Sequence, residues 1–511
     1  MQYYSLGKQS PNVNFKTAAI TGQAPDKGLY FPAEIPQFTA AQIEWFKTLD
    51  KASLAFEVMK PYVGGTIDDA SLQQICAETI DFDFPLVPIT QNILSLELFH
   101  GPTLAFKDVG ARFMSRCLGY FSKQEKAASA SSPIASPISS PITSSITSSI
   151  TSPISKATPQ LTTKSTPQVT TKPTTVLVAT SGDTGGAVAN GFLGVEGVNV
   201  IILYPKGKVS PIQELQLTTC GQNITALEVD GSFDDCQAMV KEAFMDGELN
   251  QQYNLTSANS INVARWLPQQ LYYFFAWQQW VKQYQDTNGN YPTMNIVVPS
   301  GNFGNICAGM MAKASGLPLG HFVAACNAND VVTRYLATEK YEIHQAIATV
   351  SNAMDVGNPS NFVRIMEILQ NNFTNLTESL TSYSISDATT KSTIARVYKT
   401  DNYTLDPHGA VAFAAAEIYL SQINAEKNNR DTINADTSDT NNINNTATLN
   451  NLNSKAIILE TAHPVKFPEV VEEAIGEKIA IPASVQFLLD KQKVSIPLAA
   501  NYAAFKQWML Q

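Results

Sequence analysis

A lysine in apolar company and two glycine-rich turns are the residues of this chain with chemistry to offer. In Leu98-Phe99-His100-Gly101-Pro102-Thr103-Leu104-Ala105-Phe106-Lys107-Asp108-Val109-Gly110-Ala111-Arg112, one lysine falls in the first turn of a predicted helix, with Thr103 as its expected cap. Leu104, Ala105, Phe106 and Val109 make its surroundings apolar. Desolvation lowers a lysine pKa and leaves an amine able to form a Schiff base; the alternative is a helix-end lysine that snorkels to water. A second element is Ser300-Gly301-Asn302-Phe303-Gly304-Asn305, which follows a β-branched run and precedes a helical one. Its glycines admit a close backbone approach and its helix-start amides suit an anion, so it reads as a phosphate cradle or as a tight turn whose glycines serve packing. It is neither a G-x-x-x-x-G-K-[ST] nor a G-x-G-x-x-G loop, which favours a small phosphorylated ligand over a nucleotide. The third element, Thr180-Ser181-Gly182-Asp183-Thr184-Gly185-Gly186-Ala187, offers the hydroxyls of Ser181 and Thr184 together with backbone amides. Such a set grips a carboxylate or a ring hydroxyl, unless Asp183 is a plain helix cap.

The elements that must position these loops are strands. Val176–Ala179, Val198–Tyr204, Ile296–Val298 and Ala456–Leu459 read as buried strands, each followed by a turn signal and a helical pattern. That alternation implies a parallel α/β sheet, with ligands at the carboxyl ends of the strands. The first ninety or so residues are turn-rich and then helical, as in a separate subdomain. Two stretches depart from globular composition: 127–175, rich in Ser, Thr and Pro, and 424–453, rich in Asn, Thr and Asp. Both are expected to be disordered inserts. The aromatic stretch Tyr272, Tyr273, Phe274, Phe275, Trp277, Trp280 has helical spacing and reads as core.

With 511 residues, 44% hydrophobic, the chain suffices for about three domains. Its net charge of −10 disfavours nucleic acid or an anionic membrane as partner, and an anionic substrate would need a local cationic pocket. The six cysteines lie far apart without a C-x-x-C pair, as reduced structural thiols do, and no metal site is expected. His321 and His344 have no partners at ligand spacing. With neither a leader pattern nor a long apolar run, the chain is expected to be soluble and cytoplasmic.

Taken in order, Pro102–Asp108, Ser181–Gly185, Ser300–Asn305 and Thr461-Ala462-His463-Pro464-Val465-Lys466-Phe467 resemble the threonine synthase family, one of the fold-type II pyridoxal-phosphate enzymes. Gly28–Pro32, Asn259-Ser260-Ile261-Asn262 and Leu405–Val411 extend the resemblance, which is closest to the long bacterial and fungal subtype. The resemblance implies an α/β fold like that of the tryptophan synthase β-subunit: an N-terminal subdomain over 1–95 and two parallel-sheet domains over 96–290 and 291–511. It implies that Lys107 holds pyridoxal 5'-phosphate and shuttles protons. It further implies that Gly301, Asn302, Phe303, Gly304 and Asn305 cradle the cofactor phosphate, and that Thr461 faces the pyridine nitrogen. Asp183 stands where fold-type II relatives have an Asn on the ring hydroxyl. The implied substrate is O-phospho-L-homoserine, converted with water to L-threonine and phosphate by γ-elimination and β-addition. Ser181, Thr184, Asn259, Ser260 and Arg265 are the nominees for its phosphate, and Arg112 is a lesser one. His463 is expected to shape its turn. A related fold-type II lyase, either a dehydratase or a phospholyase, and a non-catalytic scaffold are the alternatives. The sequence assigns no oligomeric state.

Overall fold

The computed structural model describes residues 1–131, 172–436 and 454–511. Two parallel sheets organise it. The larger has the strand order Leu380–Ser384, Phe322–Cys326, Met294–Pro299, Lys455–Glu460, Ile93–Glu97, Leu86–Pro88, and all neighbours are parallel except the last pair. The smaller is all parallel, in the order Ile496–Ala499, Ile224–Asp230, Val198–Pro205, Thr174–Ala179, Asn254–Ser257. Central strands such as Met294–Pro299 are buried at every position, because helices cover both faces of each sheet, and that is why they are near-continuous Val, Ile and Leu.

All four strands expected from the sequence form, each one to three residues longer than its apolar run. The helix Leu271–Tyr284 buries Tyr272, Tyr273, Phe274, Phe275, Trp277 and Trp280 in the core, as its spacing requires. All six cysteines are free thiols and five of them are buried.

The start of the chain is less helical than its composition suggests. Gln2–Ser5 pairs antiparallel with Val13–Asn14 and with Tyr30–Pro32 in a small third sheet. The edges of both inserts also need correction. The alanine-rich 127–131 continues the helix Lys107–Ser131, and Thr174 already pairs in a strand. The helix Pro407–Asp436 runs past 424, carried by Ala425, Glu426, Lys427 and Arg430, which are good helix formers. The rest of the two expected inserts, 132–171 and 437–453, lies outside the described residues.

Dividing the chain at 95/96 and 290/291 remains our proposal for its units, and the topology adds three exchanges across those limits. Leu86–Pro88 and Ile93–Glu97 belong to the sheet of 291–511, and Ile496–Ala499 to the sheet of 96–290. No helix among the described residues is long and apolar enough to cross a membrane.

Candidate active site

Loops leaving the carboxyl ends of five strands contribute to the walls of one cleft of roughly 1620 Å³, where ligands gather in open α/β sheets. Lys107, Ser181, Asp183, Thr184, Asn259, Ser260, Arg265, Gly301, Asn302, Phe303, Gly304, Asn305 and Thr461 all line it. Every residue the sequence nominated first is therefore brought together. Arg112 is not: it donates to Asp81 at 2.6 Å and to the Glu78 carbonyl, and so anchors its own helix.

Lys107 opens the helix Lys107–Ser131, and the approach to it is held tightly. Leu104 takes a left-handed conformation, φ 59°, which is costly for a branched side chain and is kept only by its surroundings. Those surroundings are backbone bonds: Phe106 N donates to Thr461 O at 2.9 Å, and His463 N donates to Leu104 O at 3.0 Å. The lysine loop and the Thr461 loop are thus stitched to each other. The expected Thr103 cap is reversed. The buried Asp108 carboxylate reaches back to accept from Thr103 N at 2.9 Å and from its hydroxyl at 2.6 Å.

The Lys107 side chain is 16% exposed and faces Asp183 Oδ2 at 3.4 Å. Burial pulls its ammonium below its ordinary value; Asp183 opposes this, while the cations of Lys466 and Arg265 add to it. Asp183 is not a helix cap, because it is the first residue of the helix Asp183–Phe192 and the cap is Gly182. Gly182 has φ 135°, and a Cβ there would sit 2.5 Å from Gln213 Cδ. The Thr180 hydroxyl satisfies the turn instead, accepting from Gly182 N at 3.0 Å and Gly185 N at 2.9 Å. The Asp183 side chain is left free to accept from Gln213 Nε2 at 2.9 Å and to pair with Lys466 Nζ at 2.7 Å. Burial alone would raise its carboxyl, but Lys466 and then Lys107 hold it well below the usual carboxylate range.

The 300–305 turn leads into the helix Gly304–Ala314, whose first residues line the cleft. Ser300 N donates to Ala325 O at 2.8 Å, and Asn302 O accepts from Asn361 N and Nδ2 at 3.2 and 3.1 Å. The left-handed residue is Phe303, φ 59°, not one of the glycines. Asn305 accepts from the Tyr273 hydroxyl at 2.7 Å, while its Nδ2 is buried without a partner. An orphaned donor beside helix-start amides fits a phosphate, and a desolvated amine in the same cleft fits an aldehyde. Pyridoxal phosphate carries both groups.

Arg265 is buried in the same wall. One nitrogen, Nη1, donates to Ala258 O at 2.9 Å, and Nε has no partner. Burial, opposed by Asp108, brings its guanidinium down to about 10. His463 packs on Phe99 and accepts from Val465 N at 3.1 Å, so it shapes its turn as expected; burial lowers it to about 4. His321 accepts or donates to the Thr381 hydroxyl, and His344 lines the cleft.

Sequence reasoning missed Lys466, Gln213 and Arg364. Lys466 is visible inside the Thr461–Phe467 run, but nothing beside it in sequence marks it as a partner of Asp183. Arg364 is fully buried, and its donors go to the carbonyls of Tyr30, Ser260 and Ile261 and to Asn361 Oδ1. It ties the N-terminal subdomain to the 259–261 loop and carries no local motif.

A lysine amine and a helix-start anion cradle opening on one cleft between two parallel sheets define a fold-type II pyridoxal-phosphate enzyme. In agreement, residues 154–431 match the family described as "Pyridoxal-phosphate dependent enzyme". Residues 2–80 match "Threonine synthase N terminus", and 443–509 match "Threonine synthase, C-terminal". The chain is 34% identical to the threonine synthase of Buchnera aphidicola subsp. Acyrthosiphon pisum, covering 100% of both chains. It is 33% identical to that of Saccharomyces cerevisiae, over 96% of this chain and 94% of the relative. Among solved structures, threonine synthase from Escherichia coli superposes with a TM-score of 0.78 at 34% identity, covering 100% of this chain and 99% of that one. The pyridoxal-phosphate-bound threonine synthase from Brucella melitensis gives 0.78 at 30%, covering 100% and 98%. The chain belongs to the threonine synthase family.

Proposed function

We propose that this chain converts O-phospho-L-homoserine and water to L-threonine and inorganic phosphate, with pyridoxal phosphate bound between Lys107 and the 301–305 cradle. The observation that carries the reading is the opening of two separate phosphate-compatible sets on one cleft. The amides of Gly301 to Asn305 with Asn305 Nδ2 suit the cofactor phosphate. Ser181, Thr184, Asn259, Ser260 and Arg265 suit the substrate's. A substrate without phosphate would leave the buried Nε of Arg265 unpaired, which is costly.

The chemistry that bound pyridoxal phosphate supplies is electron withdrawal from the substrate's Cα, which makes protons at Cα and Cβ removable. The protein's part is to move those protons. Phosphate leaves Cγ only after both carbons are deprotonated, so one mobile base must reach both. Lys107 Nζ is that base: desolvation favours its neutral form, the one that accepts a proton, and Asp183 stabilises it once charged. Thr461, placed beside Phe106 by the backbone bond between them, would supply a hydroxyl to the ring nitrogen of the bound cofactor. A hydroxyl stabilises a protonated ring less than a carboxylate would, and this disfavours transamination. Water then adds its hydroxyl at Cβ, and Cγ ends as the methyl group.

Incubating the purified protein with O-phospho-L-homoserine tests the proposal. Threonine and phosphate are expected in equal amounts. Phosphate without threonine, or equal turnover of unphosphorylated threonine and serine, would overturn it in favour of another lyase.

A further inference from the structure

We propose that Lys466 is a positioning residue: it fixes the Asp183 carboxylate between two amines and presents the pair to the cofactor as one neutral, polar unit. The inference rests on the reading of Lys107 as the cofactor lysine and goes beyond it to a residue outside the expected contacts.

Lys466 is completely buried, which is rare for an ammonium and tolerable only with partners. It lies in the short turn Pro464–Lys466 and reaches Asp183 Oδ1 at 2.7 Å and Thr103 O at 2.8 Å. It therefore joins three separate runs of sequence: the turn before Lys107, the start of the Asp183 helix, and the turn after Thr461. Gln216 Nε2 donates to the same Thr103 carbonyl at 3.1 Å, and Gln213 to the same Asp183 oxygen at 2.9 Å. Asp183 Oδ1 is thus occupied by Lys466 and Gln213, and Oδ2 is the oxygen turned to Lys107.

The charges explain why this matters. When Lys107 is bound to a carbonyl compound it no longer contributes an ordinary ammonium. Without Lys466, Asp183 would then be a buried anion with no cation bonded to it. With Lys466 the unit is neutral overall and keeps a hydrogen-bonding oxygen on its open side. The charged and titratable groups around Lys107 are Asp183 on its helix, Lys466 on its turn, Arg265 across the wall and Asp108 on the lysine's own helix.

The sign of each perturbation follows. Lys466→Met removes a cation and exposes Lys107 to the full Asp183 charge, which favours the protonated form. Asp183→Asn removes the anion and leaves two amines facing each other, which disfavours it. The double variant removes both and restores the balance.

The test uses the full-length chain loaded with pyridoxal phosphate. Borohydride reduction and peptide mass spectrometry first identify the modified lysine. The pH midpoint of the visible absorption is then compared among variants. Lys466→Met is expected to raise the midpoint by about one pH unit or more, a tenfold change in protonation ratio. Asp183→Asn is expected to lower it, and the double variant to return it towards that of the parent chain. A Lys466→Met protein with cofactor on Lys107 and an unmoved midpoint would overturn the inference. So would a double variant no closer to the parent than the single one. If Lys466→Met fails to fold, Lys466→Arg and Asp183→Asn decide: an unmoved midpoint in Asp183→Asn refutes the pairing. A parent chain modified elsewhere than Lys107 would instead refute the cofactor reading itself.

Discussion

Replacing Gly301 by alanine tests the cradle directly. A Cβ at this position would lie 2.6 Å from the Cα of Met354 and 3.2 Å from the carbonyl of Ala353, both backbone atoms. To reach even the 3.4 Å lower edge of ordinary contact, the two backbones must part by roughly 0.8 Å. The Met354 side cannot yield easily. Its turn, Asn352–Met354, is bonded through Met354 N to Ser351 O at 2.9 Å. Beneath it, buried Asn327 donates to Thr349, Ser351 and Asp355 at 2.8, 3.0 and 3.0 Å. The movement therefore falls on 300–305, whose amides have to converge on a phosphate.

Overpacking of this kind costs about 1–3 kcal/mol. If that cost is borne by the closed cradle, cofactor dissociation strengthens about 5- to 150-fold, at 1.4 kcal/mol for each factor of ten. The internal control is Gly304→Ala. There the new Cβ meets Asn361 Nδ2 at 3.3 Å and Ser260 Cβ at 3.4 Å, both side-chain atoms, and alanine is the better helix former. The assay is equilibrium titration of the cofactor-free protein with pyridoxal phosphate. Unchanged affinity in Gly301→Ala, or a larger loss in Gly304→Ala than in Gly301→Ala, refutes the assignment of the cradle.

Lys107→Ala is expected to abolish retained visible absorption after desalting and to lower turnover by at least about a hundredfold, the smallest usual effect of removing a general base; turnover within threefold or so of the parent would sink its role. Arg265→Lys keeps the charge but loses the fork, and kcat/KM for the phosphorylated substrate should fall about tenfold or more, as for loss of a charge-assisted hydrogen bond; steady-state kinetics with an unphosphorylated analogue should show little change. Glu460→Gln should stabilise the protein increasingly as pH rises. Burial, then Asp406 and Glu97, push the Glu460 carboxyl well above its ordinary 4.5, so the folded state keeps a proton that the unfolded chain gives up. Stability is then fully present below about pH 4.5 and is lost at about 1.4 kcal/mol per pH unit up to the folded value. Thermal midpoints at acid and at mildly alkaline pH should separate the two proteins only at the higher pH; a constant gap contradicts the linkage.

What the sequence made legible was local. The strands Thr174–Ala179 and Met294–Pro299 announce themselves because a strand buried on both faces needs an unbroken apolar run. The loops after them announce themselves because close backbone approach needs glycine. What stayed hidden depends on partners distant in the chain. Asp183 looked like a cap because nothing near it in sequence is cationic, and its counter-ion Lys466 arrives only when the larger sheet folds. Thr103 and Asp108 are five residues apart, and spacing alone could not say which of them caps the other. Ile496–Ala499 is short and exposed at three of its four positions, so no apolar run marked the strand that closes the edge of the smaller sheet.

The net charge of −10 and a doubly phosphate-compatible cleft are reconciled by where the cations are buried. Lys107, Lys466 and Arg265 gather about the two buried carboxylates of Asp183 and Asp108, so three cations stand against two anions in this wall although the chain as a whole is acidic. Two buried arginines lie near the 259–261 loop, and their bonding separates their tasks. A guanidinium has five donors, and Arg364 makes five hydrogen bonds, all to protein oxygens, so none is left for a ligand. Arg265 makes one such bond through Nη1 and keeps Nε unpartnered. A buried guanidinium with spare donors is expensive unless a partner completes it, which is why we propose Arg265 for the substrate phosphate. The consequence is measurable: inorganic phosphate should bind the parent chain competitively with the phosphorylated substrate. Arg265→Lys should weaken that competition, whereas a conservative change at Arg364 should instead loosen the 259–261 loop without selecting against phosphate.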